Sequence, residues 1–143
     1  MRILAVILIT LAVLISIVPQ FTDCESQGRM LTLQDGRQIA MKCHWTARAE
    51  LVSGIPLLLL GIGLLISRRK ETWIILGSLG VVFGIFTVLL PTVLIGVCLS
   101  PEMICNSTMK PILILCGSLV IVIGLISIIY AIFKKGAGTD AKN

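Results

Sequence analysis

The stretch Pro111 to Phe133, PILILCGSLVIVIGLISIIYAIF, carries no charged residue and is closed by Lys134 and Lys135. Its length falls within the roughly 17 to 25 apolar residues that take a helix across a bilayer core. Read as a transmembrane span, it sets the pattern for the rest of the chain. Working back from it, three more apolar runs of spanning length appear: Trp73 to Val97, Leu51 to Ser67 and Ile3 to Pro19. Between them lie a loop from Gln20 to Glu50, a tight turn from Arg68 to Thr72 and a loop from Cys98 to Lys110, with a polar tail from Gly136 to Asn143. None of these pieces is long enough for a soluble domain. Composition agrees, because 57% hydrophobic residues against 13% charged describe a chain whose solvent is largely lipid. The reading is an all-α membrane protein: one four-helix transmembrane domain over residues 1–135, followed by a tail without apolar periodicity that is expected to be disordered.

Orientation follows from the basic residues beside the spans, which favour the cytoplasmic face. Arg2, Arg68, Arg69, Lys70, Lys134, Lys135 and Lys142 fall on one side, in compact clusters against the membrane. Arg29, Arg37, Lys42, Arg48 and Lys110 fall on the other, diluted by Asp23, Glu25, Asp35, Glu50 and Glu102. Both termini are therefore expected in the cytoplasm and the long loop outside. The net charge of +5 then reflects topology and contact with anionic lipid, and nucleic acid is not an expected partner. The first span has a second reading, a cleaved signal peptide. Against it, no small-residue cleavage pattern precedes the loop, and Phe21-Thr22-Asp23-Cys24 is a poor lipoprotein site.

The chain also repeats itself. Met41-Lys42-Cys43-His44-Trp45-Thr46 and Met103-Ile104-Cys105-Asn106-Ser107-Thr108 both read M-x-C-x-x-T, each just before an even-numbered span. Each follows another cysteine, Cys24 or Cys98, and an odd-numbered span with a proline near its end, Pro19 or Pro91. Two duplicated helix-loop-helix hairpins account for this order, related by an axis along the membrane normal. The first copy is longer, and Met30 to Cys43 reads as a small β-hairpin turning at Asp35-Gly36. Within the spans, Gly80 and Gly84 form a GxxxG that lets helices pack closely, with homo-oligomers as one outcome. Trp45, Trp73 and Tyr130 are expected at the membrane interfaces. No ionisable residue is expected deep in a span, which argues against a stand-alone pump or ion-coupled transporter. Glu50 and Arg48 are placed at the outer mouth of the second span.

Four cysteines, Cys24, Cys43, Cys98 and Cys105, fall on the side where disulfides form. Of the three possible connectivities, the duplication selects Cys24 with Cys43 and Cys98 with Cys105, each bridge contributing ~2 to 4 kcal/mol by soluble-protein measures. Cys116 reads as a small packed residue. A competing reading is metal binding: Met41, Cys43, His44, Met103, Cys105 and Met109 gather soft sulfur and one imidazole, a set suited to copper as Cu(I). Disulfide formation would consume its thiolates. Thiol redox chemistry is the least unlikely enzyme reading, weakened by the absence of CxxC. Haem attachment through CxxCH, a Ser-His-Asp set and a phosphate-binding glycine loop are all missing from the sequence, and Asn106-Ser107-Thr108 is only formally a glycosylation sequon.

Met41 to Glu50 with Gly54, followed by Cys98, Met103-Ile104-Cys105 and Thr108-Met109-Lys110-Pro111, resembles a family of small prokaryotic four-span proteins classed as a domain of unknown function. The resemblance covers nearly the whole chain apart from the tail. It implies a bacterial or archaeal cytoplasmic (inner) membrane protein and supplies neither activity nor catalytic residues. The expected function is a non-enzymatic accessory or scaffold subunit, without a cofactor, that docks in the lipid bilayer against another integral membrane protein such as a transporter. Its alternative is an extracytoplasmic copper-binding or thiol-redox protein built on the M-x-C pairs.

Overall fold

The computed structural model describes residues 2–23, 28, 31–67, 70–97 and 103–136. Four helices, α1 (Arg2–Thr22), α2 (Lys42–Ile66), α3 (Lys70–Leu89) and α4 (Lys110–Gly136), run up and down the bundle. Two short π-helical segments adjoin them, Leu90–Leu94 after α3 and Cys105–Met109 before α4. All four helices, counted with these extensions, are long and apolar enough to cross a membrane. The chain is an all-α membrane protein.

Inward-facing residues recur at helical spacing: Ala5, Leu8, Ala12, Ile15 and Pro19 on α1, and Leu113, Cys116, Val120 and Ile123 on α4. The opposite faces expose Leu, Ile and Val, the side chains that meet acyl chains at no hydrophobic cost. Because lipid supplies little hydrophobic force between helices, close backbone approach has to hold them together. Glycines provide it. A Cβ on Gly77 would lie 3.0 Å from the Gly124 carbonyl oxygen, and one on Gly117 would lie 3.1 Å from that of Gly84. These two rungs, seven residues apart on each helix, tie α3 to α4 in antiparallel register. In α1 and α2 the same device recurs, with Gly54 receiving Ser16 and Gly61 receiving Ile9. The closest packing therefore joins α1 to α2 and α3 to α4, and the seam between α2 and α3 is looser.

Gly84 thus finds its partner within the chain. Gly80 is buried, yet a Cβ placed on it would meet nothing within 4 Å. The working pair on α3 is Gly77 with Gly84, one heptad apart, in place of the GxxxG spacing.

The expected β-hairpin is present but shorter. Leu31 pairs with Ile39 and Thr32 with Gln38, and the turn closes through Gly36 N–H donating to the Leu33 carbonyl at 2.9 Å. Gly36 has φ +74°, a conformation glycine adopts without strain. Met41 to Cys43, expected to extend the second strand, instead lead into α2. That helix starts at Lys42, nine residues before the apolar run at Leu51, because it continues through the polar M-x-C motif. At the opposite end of the bundle, Trp73 is buried; its Nε1–H donates to the Ser67 carbonyl at 3.0 Å, and its ring lies 6.0 Å from that of Tyr130.

Candidate functional site

The polar side chains concentrate at the end of the bundle that carries the hairpin. Pro91 has no N–H to offer the Thr87 carbonyl four residues back, so regular α-helical bonding cannot continue there. The backbone widens into a π-turn, and both Ile95 N–H (3.2 Å) and Gly96 N–H (3.1 Å) donate to the Leu90 carbonyl. Gly96, at φ +76°, then ends the helix. Its carbonyl accepts a 2.9 Å hydrogen bond from Thr46 Oγ1 of α2, which fastens the end of α3 to the first turns of α2. Nearby, Gln20 Nε2 donates to the Ala47 carbonyl at 3.0 Å and ties α1 to the same helix. His44 Nδ1 lies 3.3 Å from Asp23 Oδ2, and Cys105 Sγ–H approaches the Thr22 carbonyl at 3.4 Å. The two M-x-C motifs and the end of α1 therefore converge on one end of the molecule.

Deeper along α2 the inward stripe stays polar: Thr46, Glu50 and Ser53 are all buried. Glu50 is fully enclosed and stands about 12 Å below the start of the helix at 1.5 Å per residue. Glu50, expected at the mouth of the second span, is thus enclosed within the bundle. The apolar run begins only at Leu51, so hydropathy set the boundary too low. Ser53 Oγ–H donates towards Glu50 Oε2 at 3.2 Å. Thr87 of α3 faces the carboxyl group, but without hydrogen-bonding geometry: Glu50 Oε1 and Thr87 Oγ1 are both buried and unpartnered among the described residues. Buried polar atoms in this condition cost about 1 to 3 kcal/mol each, and a carboxyl group buried in a helix of spanning length is a functional candidate on physical grounds.

Beside this pair, the loose seam between α2 and α3 opens into a groove of about 550 Å3, walled mainly by apolar side chains including Val52, Pro56, Phe83 and Phe86. A second, more polar cavity of about 390 Å3 lies towards the hairpin end. Against this geometry, the family comparison is decisive: the model for a domain of unknown function, DUF4418, matches residues 3–130. The chain belongs to the DUF4418 family. No curated protein and no solved structure shows a significant match to it.

The residues singled out in this DUF4418 chain fall as follows. Cys43, Cys105 and Met109 are buried, and Met41 and Met103 pack partly buried against the core. His44 turns to Asp23. Cys24 and Cys98, the expected partners of Cys43 and Cys105, lie outside the described residues. Among the described residues, no three His, Cys, Asp or Glu side chains gather as a metal site. Sequence reasoning missed the Glu50, Ser53 and Thr87 group. Its signal was the helical spacing of Thr46, Glu50 and Ser53, which hydropathy averaging hides.

Proposed function

We propose that this DUF4418 chain is a non-enzymatic accessory or scaffold subunit of a larger assembly in a prokaryotic cytoplasmic membrane. Both termini lie in the cytoplasm and the hairpin end lies outside. One observation carries the reading: polar side chains at the hairpin end fasten helix to helix, Gln20 to Ala47 and Thr46 to Gly96, within two glycine-locked hairpins. Such a body is suited to presenting fixed lipid-facing helices to a second membrane protein. The matching rungs in the two halves support descent from one duplicated hairpin. In this proposal Cys24 bridges Cys43 and Cys98 bridges Cys105, closing each half's outer loop.

Reconstitution tests the reading. The purified chain in sealed liposomes should leave ion and solute gradients intact and turn over no thiol substrate. Sustained transport or turnover by the chain alone would remove it.

Copper binding is the second reading, favoured by the convergence of Cys43 and Cys105 on one end. It requires reduced thiols, so the state of the cysteines separates the two.

A further inference from the structure

We propose that the hairpin end of the α2–α3 seam is a binding site for an anionic phospholipid, with its head group among Lys42, Lys110 and Arg48 and an acyl chain in the groove below. Ile95 is a wall of both cavities, so the polar pocket and the apolar groove adjoin. The polar pocket draws Lys42 from the start of α2, Lys110 from the start of α4, and Asn106 and Thr92 from the two π-helical segments. Neither cavity has an acidic side chain in its described wall. The site is therefore cationic at one end and hydrocarbon-like at the other, the polarity of a single anionic amphiphile.

Depth agrees with that assignment. Trp45, exposed at the upper end of the groove, is the kind of ring that settles at head-group level. Lys42 lies one turn closer to the loop end. Arg48 lies one turn deeper, but helical side chains lean towards the N-terminus of their helix. Its stem can therefore line the groove while the guanidinium rises to the head group, the usual compromise of a long cationic side chain at an interface. From Trp45 to Pro56 the groove descends about 16 Å at 1.5 Å per residue, deep enough for most of an acyl chain. Exposed Val52 and Val93 leave both cavities open sideways to the bilayer, so a lipid can enter without the helices parting.

The test is lipid competition. The full chain, purified in detergent, is offered equal amounts of phosphatidylglycerol and phosphatidylcholine, and retained lipid is identified by native mass spectrometry. Wild type should retain phosphatidylglycerol at least roughly tenfold over phosphatidylcholine, because three basic residues face the head group. The double variant Lys42→Gln, Lys110→Gln should lower the ratio several-fold, leaving only the preference that Arg48 supplies, and Lys42→Arg, Lys110→Arg should preserve it. Val52→Trp, which fills the groove from an exposed position with both lysines intact, should release the lipid; this variant decides the matter if the glutamine pair does not fold. Equal retention of the two lipids by wild type would overturn the proposal, as would a Val52→Trp variant that binds like wild type. Complete displacement by millimolar inorganic phosphate would also overturn it, by reassigning the pocket to a free anion.

Discussion

Gly84 and Gly117 meet backbone to backbone, such that a Cβ on either would stand 3.1 Å from the other's carbonyl oxygen. A main chain cannot retreat as the end of a flexible side chain can, so the added methyl has to push α3 and α4 apart. Gly84→Ala is expected to destabilise the bundle by about 1 to 3 kcal/mol, the usual cost of overpacking. Gly80→Ala, entering open space, is expected to be neutral or to stabilise by up to about 1 kcal/mol through helix propensity. Reversible unfolding in mixed micelles, followed by helicity, compares the two. Equal effects would mean that the glycine rungs do not hold this seam.

Thr87→Val addresses the buried polar pair. Its hydroxyl faces the Glu50 carboxyl group but meets hydrogen-bond geometry with no described residue, so an apolar group of the same shape removes the desolvation cost of that hydroxyl. The variant is expected to be more stable by about 1 kcal/mol. Glu50→Gln, which gives the buried group donors of its own, is expected to stay within about 1 kcal/mol of wild type. The same unfolding assay checks both. A clear loss of stability in Thr87→Val would show that its hydroxyl is engaged.

Four spans were legible because each apolar run is nearly continuous, and the β-hairpin because Asp35-Gly36 sits between short runs able to pair. The start of α2 was not legible from hydropathy. Lys42, His44, Arg48 and Glu50 lower the local average, although Cys43, Thr46, Ala47, Glu50 and Ser53 recur at helical spacing on one buried face. The heptad spacing of Gly77 with Gly84 and of Gly117 with Gly124 is visible in the sequence, but which glycine meets which depends on antiparallel register between distant segments. The groove arises where α2 and α3 fail to close, a property of three-dimensional packing that no single helix carries.

The hairpin gives a local prediction. Gly36 takes φ +74° in the turn, and the described side chains from Thr32 to Ile39 are exposed. Gly36→Val should therefore strain the turn by about 1 to 2 kcal/mol while leaving the melting of the bundle unchanged. Limited trypsin digestion at Arg37 should become several-fold faster. A lowered melting temperature of the whole bundle would show instead that the hairpin packs on the helices.

Thiol counting separates the disulfide and copper readings. Alkylation of native membranes under denaturing, non-reducing conditions should modify Cys116 alone and leave two bridged peptides, Cys24 with Cys43 and Cys98 with Cys105. Four or five alkylated cysteines would contradict the bridges. Copper retention by wild type and by Cys43→Ser, Cys105→Ser would then become the deciding comparison.

Whether the chain serves as a subunit of a larger membrane assembly is read from its native mass and composition after gentle extraction from the membrane in which it is made. The expected result is a particle containing a second integral membrane protein at fixed stoichiometry, lost when Gly84→Leu separates α3 from α4. A particle containing only copies of this chain, with the same mass in wild type and variant, would contradict it.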